Sequence, residues 1–204
     1  MEKLAAQTAD AFQHFGRVYL AVLFNPGHEI PGAASGSVWP FPLALIFGYS
    51  AVSAILLRIS WTVVVPGLGL SSALVETPPR VVVVCLAQVV FFVGLSIAML
   101  AGARIFTRQR VGLLIAMNCV AVAVVPLSAL TLAAWIVLYF SPALSLLVLV
   151  FGFLVALCFF AEALRSQCDL PAGSSLYAIP LMVVVALVLT GLFLFILSGH
   201  NHPS

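Results

Sequence analysis

The sequence is short of charge. Only 8 of its 204 residues are lysine or arginine, and only 6 are aspartate or glutamate. Charged residues therefore make up 7% of the chain, whereas soluble domains carry about 25%. So little charge leaves no room for a soluble catalytic domain. The net charge of +2 gives no reason to expect a nucleic acid partner.

The sequence also lacks the motifs of intramembrane and nucleotide-dependent enzymes. It has no HExxH zinc motif, no paired aspartates within an apolar stretch, no GxSx motif paired with histidine in such a stretch, and no phosphate-binding Walker loop. Its one lysine is Lys3. We therefore expect no catalytic residues, no cofactor and no enzyme activity.

Metal ligands and disulfide partners are few. No two of the four cysteines form a CxxC motif, and all but the last lie in apolar stretches (Cys85, Cys119, Cys158 and Cys168). Small hydrophobic packing is their expected role, with a disulfide or a metal site as the alternative. His200 and His202 in the C-terminal tail are too few for a strong metal site. We expect no bound metal.

What the chain has in abundance is long apolar runs. Hydrophobic residues make up 64% of it, and its mean hydropathy is +1.25. Because about 20 apolar residues cross a bilayer as a helix, each run predicts one span or nearly so. The predicted fold is all-α, a polytopic transmembrane helix bundle over residues 41–198 followed by a short tail, 199–204. Its five spans are 41–57, 81–103, 111–140, 143–161 and 178–198.

Two spans carry irregular features. The first is short and could continue to Val65, before the Pro66-Gly67 break; residues 66–79 are interpreted as a loop or interfacial segment. The third, 111–140, has Pro126 in its middle and should kink there, because proline removes a helical hydrogen bond. Ser128 and Thr131 are expected to help satisfy the freed groups.

Residues 1–40 form a separate N-terminal region. Phe12, Phe15 and Tyr19 recur at helical spacing within 6–24, which predicts an amphipathic helix lying in the membrane interface and ending at Asn25-Pro26-Gly27. A soluble helix is the alternative. Residues 25–40 are rich in glycine, proline and serine and are interpreted as a loop leading into the first span.

The distribution of arginine predicts orientation. Arg104, Arg108 and Arg110 crowd the link between the second and third spans, and Arg165 follows the fourth. Because basic loops stay on the cytoplasmic side, the N-terminus is predicted to be cytoplasmic and the C-terminus external.

Small and polar residues within the spans are the candidate interaction sites. Gly94, Ala98 and Gly102 form a smooth ridge for close helix packing, either inside the bundle or in an oligomer. Gln88 and Asn118 are expected to form interhelical hydrogen bonds, with substrate contact as the alternative. Glu162 lies three residues before Arg165, which favours a local ion pair over a buried functional carboxylate.

The layout resembles a known family. The amphipathic helix, the break in FNPGHEI (24–30) and the entry WPFPLALIFG (39–48) are similar to prokaryotic members of the Yip family, five-span relatives of the Ypt/Rab-interacting proteins of eukaryotes. Ala101-Gly102-Ala103-Arg104, followed by a short basic link, resembles that family's second-to-third-span junction. His28-Glu29-Ile30 replaces the usual aromatic pair, and the acidic N-terminal motif of the eukaryotic members is absent, so Rab binding has no support.

The resemblance implies a non-enzymatic scaffold or adaptor in a bacterial inner membrane, with the lipid bilayer and other membrane proteins or copies of itself as partners. The alternative is a small transporter, channel or lipid-handling subunit, with a path lined by polar residues of spans two to four. A third possibility, a sensor like the five-helix tryptophan-rich sensory proteins, is disfavoured by the 3 tryptophans present here.

Overall fold

The computed structural model describes residues 13, 16–36, 41–67, 80–108, 110–168 and 172–199. These ranges contain helices and their connections and no strand. Of the loop or interfacial segment expected at 66–79, Pro66 and Gly67 are helical and residues 68–79 lie outside the described residues. Most of residues 1–15 and the tail after Gly199, with its two histidines, also lie outside them. The helices are α1 (16–24), α2 (Pro26–Gly36), α3 (Phe41–Gly67), α4 (Val81–Phe106), α5 (Leu113–Leu138), α6 (Pro142–Cys168) and α7 (Ala172–Gly199).

Five of these helices are long and apolar enough to cross a bilayer. Each of the five apolar segments has at least 21 residues, and about 20 are enough to cross the hydrocarbon core as a helix. The prediction of an all-α, five-span, multi-pass membrane protein is therefore confirmed. Helix α6 continues past the expected end at 161, and α3 continues past 57. The segments are Phe41–Trp61, Val81–Phe106, Leu113–Leu138, Pro142–Cys168 and Tyr177–Leu197.

Helix α5 is the centre of the bundle. Within the protein 61% of its span is buried, against 11% for the span of α7. It contacts α2, α3, α4 and α6. Its first half is mostly alanine, valine and other compact side chains that are buried on every face, which lets neighbouring helices approach from all sides.

A tight turn joins α5 to α6. Leu138 ends α5 and Pro142 begins α6. The Ser141 hydroxyl accepts a hydrogen bond from the Leu144 amide (3.3 Å), so Ser141 acts as an N-cap with proline at the first helical position. The two helices then run antiparallel, and the Ser145 hydroxyl donates to the Ala134 carbonyl oxygen (2.8 Å).

The small-residue ridge of α4 packs inside the bundle. Gly94, Ala98 and Gly102 are all buried. A Cβ added at Gly94 would lie 3.5 Å from the Ala186 Cα, and one added at Gly102 would overlap the Met182 methyl group. Close approach of α7 therefore occupies this ridge within the same chain.

The loop expected at 25–40 is instead helical over Pro26–Gly36, and that interpretation was wrong for these residues. The Asn25 carbonyl oxygen accepts from the Glu29 amide (3.1 Å), and Pro26 occupies the first helical position. The glycines of α2 disfavour a helix by themselves. Burial of Ile30 and Ala34 against the spans outweighs that cost.

Side-chain amides from two spans hold α2 in place. The Asn118 Nδ2 on α5 donates to the Ala34 carbonyl oxygen (3.3 Å). The Gln167 Nε2 on α6 donates to the Pro31 carbonyl oxygen (3.3 Å). Both donors lie near the end of the bundle where α4 finishes and the arginine-rich link to α5 begins.

Candidate functional site

A cavity of about 220 Å³ lies where α1, α3 and α5 meet. Two of its lining residues, Ser128 and Thr131, follow Pro126 near the middle of α5. At 1.5 Å per residue, Ser128 is roughly 22 Å along the helix axis from Leu113. The cavity therefore belongs to the depth of the hydrocarbon core. The lining residues are Tyr19, Ala44, Leu45, Gly48, Tyr49, Val52, Ser53, Leu56, Ser128, Thr131 and Leu132.

The cavity opens sideways between α3 and α5. Ala44 and Gly48 are exposed, as are Val52 and Leu132 (49% and 48%). These residues belong to membrane-spanning segments, so their exposed faces meet lipid chains. The space beside Gly48 is open, because a Cβ added there would meet no atom within 4 Å. A molecule dissolved in the bilayer can therefore reach the cavity directly.

One polar group of the cavity comes from the N-terminal helix. The Tyr19 hydroxyl lies 2.9 Å from the Ser128 Oγ and 3.3 Å from the Val125 carbonyl oxygen. Both hydroxyls can donate to the Val125 carbonyl oxygen, which lies 2.8 Å from the Ser128 Oγ, so the three oxygens form one hydrogen-bonded group. The described part of the expected interfacial helix thus meets protein: Tyr19 reaches the middle of α5, and Val22 is buried.

A second tyrosine repeats this arrangement from α3. The Tyr49 hydroxyl lies 3.3 Å from the Thr131 Oγ1, whose proton is donated to the Leu127 carbonyl oxygen (2.7 Å). Tyr49 is therefore the donor of this pair, and its oxygen retains its lone pairs. Its ring packs edge-on against Phe92 at 5.8 Å between centroids, which holds the hydroxyl at the cavity.

The third polar group links the cavity to α4. The Ser53 hydroxyl donates to the Gln88 Oε1 at 2.7 Å. Gln88 thus forms an interhelical hydrogen bond from the second span to the first, as the sequence predicted. Its side chain stands behind a cavity-lining residue rather than in the lining itself.

The hydroxyl protons of Tyr49, Ser53, Ser128 and Thr131 are thus all used within the protein. These groups carry no formal charge, and apolar atoms form most of the cavity surface. A group that enters and satisfies them must donate a hydrogen bond. An uncharged group therefore suits this space better than an ion does.

Ser128 and Thr131 were expected to satisfy groups freed by Pro126. The proline lacks the N–H that would reach the Val122 carbonyl oxygen, four residues back. The two hydroxyls bond instead to the carbonyl oxygens of Val125 and Leu127. That expectation was wrong, because a serine or threonine on a helix reaches the carbonyls three and four residues before itself.

The remaining polar residues singled out from the sequence lie away from the cavity. Asn118 is fully buried and holds α2, and its Oδ1 has no hydrogen-bond partner within the described residues. Glu162 is exposed on α6. Within the described ranges it forms no salt bridge, so the expected ion pair with Arg165 does not form. The described residues also contain no group of three potential metal ligands.

Sequence reasoning missed Tyr19, Tyr49 and Ser53 as site residues. One available signal was the four-residue spacing of Tyr49 and Ser53 along the first span, which places both on one helix face. A polar face on a transmembrane helix must meet protein or a cavity rather than lipid. Tyr19 gave no comparable signal, because its partner Ser128 lies more than a hundred residues away in the chain.

Comparison of the sequence with protein-family models, with curated proteins and with solved structures finds no match. The resemblance to the Yip family therefore stays a prediction.

Proposed function

We propose that this integral membrane protein is a non-enzymatic lipid-handling protein that takes a small molecule from the bilayer into the cavity between α3 and α5. The observation that carries the proposal is a hydroxyl-lined space at mid-membrane depth with a lateral opening to the lipid. Polar groups are costly at this depth, so a cluster of them around a cavity is best explained by a ligand.

The size of the cavity limits what enters it. At about 220 Å³ it is smaller than the roughly 300–1,000 Å³ of sites that enclose a drug-sized ligand. It suits the polar head of a longer molecule whose chain extends through the opening into the bilayer. The hydrogen bonds of the cavity join hydroxyls to one another and to backbone carbonyls, which supports binding rather than catalysis.

A scaffold or adaptor role is the second candidate, favoured by the open face at Ala44 and Gly48. Small residues spaced by four allow a partner helix to approach closely. This face is open in the described structure, whereas the ridge of α4 is already covered by α7. Under this proposal a helix of another membrane protein, or of a second copy, occupies the same opening.

We further propose a bacterial cytoplasmic membrane as the location, with the N-terminus inside. The resemblance to prokaryotic Yip proteins supports the membrane type. The orientation is supported by Arg104, Arg108 and Arg110, which stand at one end of the bundle with Arg165 near the end of α6.

The test compares two glycines that differ in their relation to the cavity. A Cβ at Gly48 or at Gly191 would meet no atom within 4 Å, but only Gly48 lines the cavity. Both are replaced by leucine, and lipids that co-purify with each protein in mild detergent are identified by mass spectrometry. We expect the wild type and Gly191→Leu to retain a common lipid species that Gly48→Leu loses.

Equal lipid retention by Gly48→Leu and Gly191→Leu contradicts the lipid-handling proposal. A gentle pull-down of the same variants, run in parallel, tests the scaffold role. Loss of a co-purified membrane protein from Gly48→Leu alone, with its lipids unchanged, favours a partner helix at this opening.

A further inference from the structure

We infer that the ligand of this cavity is an uncharged, lipid-soluble alcohol, and that Tyr19 occupies the same hydrogen-bonding position in its absence. This inference rests on the proposed function. It assigns a ligand class from the hydrogen-bonding state of the cavity and assigns Tyr19 a role as an internal competitor.

On the α5 side of the cavity, the protons of both hydroxyls are used within the helix. The Ser128 proton is donated to the Val125 carbonyl oxygen and the Thr131 proton to the Leu127 carbonyl oxygen. Both hydroxyls therefore act toward the cavity as acceptors only. A ketone, ester or ether, which also only accepts, finds no donor at these two positions, whereas an alcohol donates its proton.

In the protein without a ligand, the Tyr19 hydroxyl occupies the position of such an alcohol. Tyr19 offers one hydroxyl on an apolar ring, and this hydroxyl is hydrogen-bonded to the Ser128 Oγ at 2.9 Å. It is thus a tethered alcohol bound in a cavity that its own ring helps to line. A free alcohol that donates to Ser128 would take over this hydrogen bond, and the chain of the ligand would leave through the opening at Gly48 and Leu132.

Helix α1 is held on one face only. Val22 is buried, and Val18, Tyr19 and Leu23 pack partly buried against the core, whereas Leu20 and Phe24 are exposed (52% and 79%). Asn25 interrupts the helix before α2, so α1 can move while the amides of Asn118 and Gln167 keep α2 in place. Ligand binding and the docking of Tyr19 therefore oppose each other, as two ligands of one site do.

The cavity disfavours amphipathic molecules that carry a charge, such as ionised fatty acids and amines. Among the described residues, the cavity lining contains no lysine, arginine, histidine, aspartate or glutamate. An ionised fatty acid or amine would be desolvated there without a counter-charge, which strongly disfavours it. A neutral hydroxyl loses much less on leaving water and regains a hydrogen bond at Ser128 or at the Tyr49 oxygen.

The experiment uses the full-length protein in liposomes with three photoactivatable probes of the same chain length. These are hexadecanol, its methyl ether and hexadecanoic acid, each with a diazirine near the head group. Labelled peptides are identified by mass spectrometry. Labelling of segments 44–56 and 128–132 is divided by labelling of the exposed face of α7 (Leu187 to Leu192), which reports non-specific contact with lipid.

We expect the alcohol to label the cavity segments at least about fivefold more than the ether or the acid, the ratio that one lost buried hydrogen bond gives. Tyr19→Ala should raise alcohol labelling roughly two- to tenfold, because the competing hydrogen bond is gone. Tyr19→Phe should raise it less, since the ring remains. This variant also guards against misfolding, because it keeps the packing of α1.

Each contrary result points to a different error. Equal labelling by the alcohol and the ether overturns the ligand class. Unchanged alcohol labelling in both Tyr19 variants overturns the competition and leaves the cavity as a binding site. Labelling of the cavity segments no stronger than that of α7, by any probe in any variant, contradicts the proposed function itself.

Discussion

At the scale of single residues, the glycines of the bundle differ in what a methyl group would meet. A Cβ at Gly152 on α6 would lie 2.9 Å from the Leu130 Cβ, an atom close to the α5 backbone. One at Gly102 would overlap the methyl end of Met182, which is flexible and can rotate away. A Cβ at Gly191 would meet nothing within 4 Å.

We therefore expect Gly152→Ala to destabilise the bundle by about 1–3 kcal/mol, because α5 and α6 must separate. Gly102→Ala should cost less than Gly152→Ala, and Gly191→Ala should leave stability unchanged or slightly raised, since alanine favours a helix. Thermal melting of the three variants in one detergent measures the order of their stabilities. The same melting temperature for all three variants would show that these helix contacts are looser than the structure indicates.

A larger side chain at Gly102 tests the packing of α4 against α7 more severely than alanine does. Gly102→Leu should disrupt the α4–α7 contact, because a leucine side chain needs much more space than rotation of the Met182 methyl end would free. Size-exclusion chromatography separates the two possible roles of the ridge. A stable monomer that has lost only a higher oligomer would indicate an intermolecular contact instead of the packing against α7.

At the scale of helices, the spans could be predicted and the N-terminal region could not. Each span is encoded locally, because a run of about 20 apolar residues crosses the membrane whatever its neighbours are. The helix α2 depends on distant partners. Its sequence PGHEIPGAASG contains three glycines and two prolines, so its local preference is for a loop, and the burial of Ile30 and Ala34 makes it helical.

The residues of the candidate site also divide into one that could be predicted from the sequence and two that could not. Gln88 was recognised from sequence, because a glutamine inside an apolar run is conspicuous and must find a partner. Tyr19 and Tyr49 were not recognised as site residues. Tyrosine is common near membrane surfaces, and only the packing of α1 and α3 on α5 shows that these two hydroxyls reach mid-membrane depth.

The two amides that hold α2 give a prediction at this scale. Replacing Asn118 and Gln167 together by alanine removes the hydrogen bonds to the Ala34 and Pro31 carbonyl oxygens. We expect α2 to detach more often while the five spans stay folded. The Asn118 Oδ1 is buried and has no partner among the described residues, so its removal offsets part of the loss and the melting temperature should change little.

Detachment of α2 can be measured with a thiol reagent. In a chain whose four native cysteines are replaced, Ala34→Cys places a thiol at a fully buried position of α2, and Ile46→Cys places one at a buried position of α3. The double alanine substitution should speed maleimide labelling at position 34 several-fold and leave position 46 unchanged. Equal rates at position 34 with and without the two amides would contradict the tether.

At the scale of the whole molecule, charge and packing mark the same end of the bundle. Arg104 lies in the last turn of α4, and Arg108 and Arg110 follow it in the link to α5. The amides of Asn118 and Gln167 hold α2 at this end as well. Helix α2 and the basic link therefore lie at the same end of the membrane-spanning bundle.

This coincidence makes orientation the most direct prediction about the whole chain. Basic loops are retained in the cytoplasm, so the arginine-rich end should face inward, and five crossings then place the C-terminus outside. Reporter fusions after residues 72, 108, 142, 170 and 204 should alternate outside, inside, outside, inside, outside.

Replacing Arg104, Arg108 and Arg110 together by glutamine is the matched control, because it removes the charge asymmetry without removing a span. Those fusions should give mixed orientation. An inside signal at 204 in the parent chain would contradict the odd number of crossings, and an unaltered pattern in the glutamine variant would show that another feature of the chain determines its orientation.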